Sequence, residues 1–216
     1  MRVVLAGGGT GGHFYPLIAV SEALYEEAQA EKLVNEPDLY YVAPEPYDES
    51  ALHKYDISFR RVGSGKLRTY SSWKNIFSYF RIAGGILKAL WVLFVIYPDV
   101  VFAKGGYASF PVLMAARILR IPVVIHESDS VPGRVNRWAS SFAKRIGISF
   151  PEAAEHFPEE KTAVVGNPVC SAIAQPAMSG AREYLEIPEQ RPVVFILGGS
   201  QGAQAINSVV LSSLPD

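Results

Sequence analysis

Short apolar runs recur along this chain and alternate with longer segments in which apolar residues return every three or four positions. The short runs are typical of buried parallel strands, and the three-to-four period is typical of helices that pack on one side. The pattern predicts strands at residues 3–6, 39–43, 57–62, 100–103, 121–125, 145–149, 162–165 and 192–197. It predicts helices at residues 14–30, 45–55, 73–97, 110–119, 132–142 and 182–187, with a last one from residue 203.

The regular alternation of strand and helix predicts an α/β fold with a Rossmann-like, doubly wound parallel sheet. In such sheets, ligands bind outside the carboxyl ends of the strands. Three polar or glycine-rich turns follow predicted strands, at residues 7–13, 104–107 and 126–129. We therefore expect these turns to meet at one rim of the sheet and to form a site.

The first of these turns has the sequence Gly7-Gly8-Gly9-Thr10-Gly11-Gly12-His13. Glycines let a ligand approach the backbone closely, and the N–H groups at a helix N-terminus attract anions. His13 adds a side chain that titrates near neutral pH. The turn indicates a phosphate or pyrophosphate site, although a glycine-rich turn with a packed histidine would have the same sequence pattern.

Composition excludes several classes of protein. The chain has 216 residues, a net charge of −1, four histidines and one cysteine. The balanced charge does not favour nucleic acid as a partner, and the lone Cys170 fits a reducing compartment. The histidines lack the spacing of metal ligands, so we expect no metal site. The apolar N-terminal run is too short for a secretory signal, and the apolar stretch at 82–97 is interrupted by Lys88 and too short for a membrane span.

The character of the sequence changes after Gly166-Asn167-Pro168. We predict a first domain at residues 1–166, a linker at 167–180 and the start of a second βα domain at 181–216. A single βα unit cannot bury its own sheet face. The last segment is therefore expected to open an incomplete domain or to dock elsewhere.

Five stretches of the chain carry a family resemblance and span nearly its whole length. They are Gly8-Gly9-Thr10-Gly11-Gly12-His13 with Pro16, Gly105-Gly106-Tyr107 with Pro111, Ile121-Pro122-Val123-Val124-Ile125-His126-Glu127, Gly166-Asn167-Pro168-Val169, and Gly198-Gly199-Ser200-Gln201-Gly202-Ala203 with Asn207. In these stretches and in their order, the chain resembles the MurG-type glycosyltransferases of peptidoglycan synthesis.

The resemblance implies a GT-B fold, in which two Rossmann-like domains face each other across a cleft. It implies an inverting enzyme that transfers N-acetylglucosamine (GlcNAc) from UDP-GlcNAc to undecaprenyl-pyrophosphoryl-N-acetylmuramoyl-pentapeptide (lipid I), which gives lipid II. No cofactor is implied. The implied location is peripheral, on the cytoplasmic side of the cell membrane, with cell-division or cell-wall synthesis proteins as partners.

The same resemblance assigns roles to individual residues. His13 is the candidate general base, and its alternative role is structural or acceptor-orienting. The donor or pyrophosphate is expected at Thr10, Gly11, Gly12, Asp129, Ser200 and Gln201. The acceptor is expected at Gly9, Tyr107, His126 and Glu127. Because His126 and Glu127 are neighbours on a strand, their side chains should point in opposite directions, and Glu127 could instead accept hydrogen bonds from backbone amides.

Two positions depart from the family pattern. The family usually has His-Glu-Gln-Asn where this chain has His126-Glu127-Ser128-Asp129, and it usually has arginine where this chain has Cys170. A carboxylate only accepts hydrogen bonds, whereas an amide both donates and accepts. Asp129 therefore adds repulsion beside a pyrophosphate unless a cation compensates for it.

A lipid acceptor requires contact with a membrane surface. Apolar residues next to basic ones suit a helix that lies on anionic lipid. We predict membrane contact at Trp73, Phe77 and Phe80, close to Lys66 and Arg68. The second half of this helix, from residue 86, is expected to belong to the core.

Two other functions fit parts of the pattern. Gly7, Gly9 and Gly12 match the spacing of a dinucleotide-binding fingerprint, as in an oxidoreductase domain. That fingerprint needs an acidic residue at the end of the second strand, where only the displaced Glu45 is available. The other hypothesis is an inactive fragment that binds a lipid-linked precursor or a division-complex partner.

Overall fold

The computed structural model describes residues 1–32, 35–65, 74–175, 180–188, 191–198 and 203–214. For residues 74–77 and 79 it describes the backbone only. The predictions for Trp73, Ser200, Gln201, Lys66, Arg68 and the Phe77 side chain lie outside the described residues. The chain divides into two compact units, Met1–Ser171 and Ala172–Asp216.

The first unit contains a sheet of seven parallel strands in the order β3-β2-β1-β4-β5-β6-β7. The strands are β1 (Arg2–Ala6), β2 (Asp38–Ala43), β3 (Ser58–Arg61), β4 (Val100–Ala103), β5 (Val123–Glu127), β6 (Arg145–Ile148) and β7 (Thr162–Val164). The described residues form the helices α1 (Gly11–Ala30), α2 (Glu49–Lys54), α3 (Lys74–Ile96), α4 (Gly106–Leu119), α5 (Arg134–Ala139), α6 (Ser171–Ala174), α7 (Ala181–Tyr184) and α8 (Gln204–Ser213). Two 3-10 turns lie at Pro151–His156 and Glu159–Lys161.

The sheet is covered on both faces, as its apolar sequence requires. Along β1, Val3 and Leu5 belong to a buried cluster with residues of α1 and α2. Val4 and Ala6 belong to a second cluster with residues of α3, α4 and α5. This alternation confirms the predicted doubly wound parallel sheet.

The predicted strand at 192–197 is wrong. The described residues 191–198 contain no strand, and Val194 and Phe195 are exposed. An apolar run becomes a strand only where a partner strand accepts and donates its backbone hydrogen bonds. The run therefore has the composition of a strand, but no described strand pairs with it.

Helix α3 differs from the expectation that its second half is core. Its core face presents the buried residues Ala89, Leu93 and Ile96. A second apolar stripe on the same helix is exposed, with 64–73% of the surface of each residue accessible: Phe80, Leu87, Trp91 and Phe94. The spacing of these positions places them on one helix face. None of the described helices combines the length and hydropathy that a membrane crossing requires.

Candidate functional site

The candidate site lies at the point of the sheet where the strand order changes direction: strands β1 to β3 are added on one side, and β4 onwards on the other. β1 pairs with β2 on one side and with β4 on the other, and β5 follows β4. Such a switch point is where ligands bind in doubly wound sheets, because the loops that leave it diverge and open a crevice. The three turns predicted to converge leave the carboxyl ends of the adjacent strands β1, β4 and β5.

The first two turns are in direct contact. Gly9 has a φ of +87°, and a methyl group in place of its hydrogen would lie 2.8 Å from the ring of Tyr107. Gly106 has a φ of +77°, and a methyl group there would lie 3.1 Å from Nε2 of His13. Both positions need glycine because of the backbone angle and the small space. The structure thus brings Gly9, His13 and Tyr107 together.

Two long helices begin at this rim. α1 has 20 residues and starts at Gly11, and α4 has 14 residues and starts at Gly106. Their first turns consist of uncharged residues and His13, so side-chain carboxylates do not occupy these positions. The start of an α-helix carries partial positive charge and presents N–H groups towards a bound anion, which suits a phosphate or pyrophosphate.

His13 is half-buried in the first turn of α1. Its Nδ1 lies 2.8 Å from the Thr10 hydroxyl oxygen. Burial lowers the pKa of His13, the positive charge of Lys104 lowers it further, and Glu127 and Asp129 oppose this shift. The neutral form of the imidazole is therefore favoured more strongly than in a free histidine. In the tautomer whose Nδ1–H donates to Thr10, the Nε2 lone pair next to Gly106 can accept a proton.

Glu127 is a buried carboxylate at the end of β5 that organises the following turn. Its Oε1 accepts from the backbone N–H groups of Ser128 and Asp129, at 2.9 and 3.1 Å. Its Oε2 accepts from the N–H of Gly133 and from the side-chain amide of Asn136, both at 3.0 Å. These four donors support the backbone-organising alternative for Glu127, and its predicted acceptor contact stays a prediction.

His126 is also buried, but it bonds to a different segment than Glu127. Its Nε2 lies 2.9 Å from the carbonyl oxygen of Gly166, so the ring donates at this nitrogen. Burial and, less strongly, Lys104 lower the pKa of His126. A neutral, buried ring in this position holds the loop after β7 against β5. Its contact with the acceptor stays a prediction.

Two residues of the site received no role of their own from the sequence, although Lys104 lies in the predicted turn at 104–107. Lys104 follows β4, is only 3% exposed and donates from Nζ to the hydroxyl of Ser128. Burial lowers its pKa to about 8, against the opposing charges of Glu127 and Asp129. A charged residue directly after a buried strand was the available signal. Asn136 in α5 gave no local signal, because its partners Glu127 and the His126 carbonyl lie nine and ten residues away.

The chemistry available here is anion binding beside a neutral base. Among the residues that the structure describes, no three His, Cys, Asp or Glu side chains are grouped to hold a metal ion.

Glu22 of α1 accepts hydrogen bonds from the backbone N–H and the hydroxyl of Ser171, at 2.8 and 2.7 Å. This contact ties the segment after β7 to α1, on the same unit as the site.

Comparison with known proteins places the chain in a sequence family. Residues 3–148 match the glycosyltransferase family 28 N-terminal domain. The chain is 36% identical over 216 residues to a Bacillus anthracis protein named UDP-N-acetylglucosamine–N-acetylmuramyl-(pentapeptide) pyrophosphoryl-undecaprenol N-acetylglucosamine transferase 2. It is 39% identical over 213 residues to the protein with the same transferase name from Treponema pallidum (strain Nichols).

These matches cover 100% and 97% of the chain but only 59% and 54% of the two relatives. The chain thus spans a little over half the length of the curated relatives it matches. Among solved structures, Acinetobacter baumannii MurG matches with a TM-score of 0.59 and 26% identity, covering 81% of this chain and 47% of that one. A Staphylococcus aureus MnaA structure with UDP matches with a TM-score of 0.53 at 17% identity over 77% of this chain and 44% of that one, which indicates a shared fold.

Proposed function

The chain belongs to glycosyltransferase family 28, and we propose that it forms the acceptor-binding part of an enzyme that transfers GlcNAc from UDP-GlcNAc to lipid I. The observation that carries the proposal is the position of His13, in the first turn of α1 with Nε2 beside the first residue of α4, at the β1–β4 switch point. This arrangement supplies a base and an anion site within one small region of the first unit.

The proposed reaction needs both of these features. The 4-hydroxyl of the acceptor sugar attacks the anomeric carbon of GlcNAc, and the bond from that carbon to the UDP oxygen breaks. The hydroxyl proton passes to Nε2 of His13, and UDP leaves with the electron pair of the broken bond. A base with a pKa below its usual value is unprotonated at pH 7 and available for this step.

The remaining predicted contacts are distributed around this centre. The N–H groups at Thr10, Gly11 and Gly12 would hold a pyrophosphate, with the positive end of α1 behind them. Gly9 and Tyr107 would contact the acceptor, since their contact forms the wall beside His13. In the whole protein, the donor nucleotide would be held by a second domain, with Ser200 and Gln201 in its glycine turn.

The oxidoreductase alternative explains less of the site. It requires a carboxylate at the end of β2 to bind a ribose, but β2 ends at Ala43 and is followed by Pro44. It also assigns no role to His13 or to the turn after β5. The transferase proposal accounts for all three turns.

We also propose that the unit lies on the cytoplasmic membrane surface through the exposed stripe of α3. Phe80, Leu87, Trp91 and Phe94 present apolar surface on one helix face. The exposed basic residues Arg81 and Lys88 lie on the same helix and would meet anionic headgroups. Contact with cell-division or cell-wall synthesis proteins stays a prediction.

The test uses the natural protein, including any sequence that follows residue 216, with UDP-GlcNAc and a soluble lipid I analogue. We expect UDP release that depends on the acceptor, and a 10²- to 10⁴-fold lower kcat in His13→Ala, roughly the usual contribution of a general base. His156→Ala, an exposed histidine in a 3-10 turn, is the matched control and should keep normal turnover.

Two results would contradict this proposal in different ways. Near-normal turnover in His13→Ala would remove His13 as the base while leaving the transferase intact. Failure of the natural protein to release UDP with any lipid I analogue would reject the transferase itself and favour the inactive, precursor-binding alternative.

A further inference from the structure

We propose that Lys104 is a positioning residue for this site, which joins the three turns of the rim and acts on His13 through the charge of its buried ammonium group. The inference deepens the proposed transferase function and rests on it for the role of His13. The charge coupling itself can be measured without any substrate.

Lys104 connects all three turns of the rim. Its backbone N–H donates to the carbonyl oxygen of Ala6 at 2.9 Å, which fixes it beside the end of β1. A methyl group on Gly7 would lie 2.9 Å from the carbonyl oxygen of His13 and 3.4 Å from Cβ of Lys104, so only a glycine separates the two residues. The Lys104 ammonium then reaches the Ser128 hydroxyl in the turn after β5.

This contact gives a partner to Ser128, one of the two residues at which this turn departs from the family pattern. A carboxylate at Asp129 would repel a pyrophosphate at the same rim, because both are anions. The negative charges of Glu127 and, less strongly, Asp129 oppose the lowering of the Lys104 pKa by burial. Glu127 is held by four hydrogen-bond donors, whereas Asp129 is exposed, so the turn that carries both carboxylates is anchored to Lys104 through Ser128.

The ammonium acts through its neighbours because it is 3% exposed and has little surface to offer a substrate. The charged groups that act on His13 are Lys104, Glu127 and Asp129. Lys104 favours the neutral imidazole, and the two carboxylates favour the protonated one. His126 is affected by Lys104 in the same direction as His13. The charge at residue 104 thus helps to determine how much His13 is available as a base.

The experiment is an NMR titration of the His13 ring in the natural protein, with His13→Gln to assign the signal. In Lys104→Met we expect the pKa of His13 to rise, because a repelling positive charge is removed. In Asp129→Asn we expect it to fall, because an attracting negative charge is removed. In the double variant the two shifts should largely cancel. Lys144→Met removes an exposed positive charge elsewhere and should leave His13 unchanged.

Folding does not limit this test, since methionine has a similar length and places no charge in the buried position. Lys104→Arg keeps the charge and should keep the His13 titration close to that of the natural protein. A Lys104→Met protein whose His13 pKa is unchanged or lower would overturn the inference. So would an arginine variant that behaves like the methionine variant.

Kinetics separate this inference from the proposed function. If the protein is the proposed transferase, the acidic limb of kcat/KM against pH should move to higher pH in Lys104→Met, with a larger loss at pH 6 than at pH 7.5. A missing transferase activity would reject the proposed function, and the titration would still decide the coupling. An active enzyme with an unmoved acidic limb would overturn the positioning role of Lys104.

Discussion

Single buried residues hold the candidate site in shape, and Glu127 is the clearest of them. Both of its oxygens accept two hydrogen bonds each, from the turn after β5 and from α5. A buried carboxylate is costly unless its acceptor sites are occupied, and here the surrounding N–H groups occupy them. The turn that carries Ser128 and Asp129 is therefore specified by one residue of the preceding strand.

Replacing Glu127 with glutamine should destabilise the first unit by about 2–4 kcal/mol, because one oxygen becomes an NH2 group that faces two donors. Urea unfolding at pH 7 measures the change. Glu152→Gln, at an exposed position in a 3-10 turn, is the matched control and should stay within about 0.5 kcal/mol of the natural protein. Equal stability of Glu127→Gln and the control would contradict the organising role.

At the scale of elements, helix α4 begins at Gly106, which packs beside His13 of α1. Gly106 has a φ of +77°, and a methyl group added to it would lie 3.1 Å from Nε2 of His13. Alanine at this position is strained by the backbone angle and also presses on the imidazole. The start of α4 is thus built to accommodate His13 of α1.

We expect Gly106→Ala to lose about 1–2 kcal/mol of stability and a larger share of its transferase activity, since Nε2 of His13 must move. Gly84→Ala in α3 is the contrasting variant, because nothing lies within 4 Å of its added methyl group. It should gain up to about 1 kcal/mol through helix propensity. Urea unfolding and UDP release measure both variants. A fully active Gly106→Ala enzyme would contradict the close packing at this rim.

At the same scale, the exposed apolar stripe of helix α3 predicts binding to lipid. Trp91 and Phe94 stack on the exposed stripe with ring centroids 6.4 Å apart. Changing both to glutamine should weaken binding to anionic lipid vesicles, because about 0.8 kcal/mol is lost for each CH2-sized group withdrawn from lipid. The stability of the unit should change little, since both side chains are exposed.

Vesicle co-sedimentation measures this loss, with Tyr184→Gln as the control at an exposed aromatic residue of α7. The control should bind vesicles as the natural protein does. Unchanged binding of the Trp91 and Phe94 variant would remove the α3 stripe as the membrane contact.

At the scale of the whole molecule, the half-buried His13 and the buried His126 make stability depend on pH. Burial lowers the pKa values of His13 and His126 in the folded state, whereas an unfolded histidine titrates near 6.5. The unfolded chain therefore binds more protons below about pH 7, and stability falls as the pH falls. The lowered pKa values of Glu22 and Asp48 act in the same direction but at more acidic pH.

Urea unfolding at pH 7.5, 6.5 and 5.5 should give a decreasing free energy of unfolding. His13→Gln should reduce this pH dependence, because one of the two titrating groups is removed. Stability that stays constant or increases on acidification across this range would contradict the burial-driven shifts of both rings.

Much of the fold and the location of the site were predictable because they depend on local pattern. Each strand of the described sheet overlaps a predicted apolar run, and the turns after β1, β4 and β5 were identified by their glycines and polar residues. Parallel strands align their carboxyl ends, so the order of elements along the chain was enough to bring these turns to one rim. His13 was identifiable because it stands in the first of them.

The rest was decided by contacts between residues far apart in the chain. The sequence contains Lys104 and Ser128 but not their hydrogen bond, which spans 24 residues. The sequence predicted a core role for the second half of α3, and only packing decided that Leu87, Trp91 and Phe94 stay exposed. The run at 192–197 had strand composition, yet only a partner strand could have made it a strand. By itself the sequence determined the elements and the rim where they meet, because period and turn chemistry act locally. Burial, charge balance and the neutral state of His13 were decided by the tertiary structure, because they depend on what packs around each group.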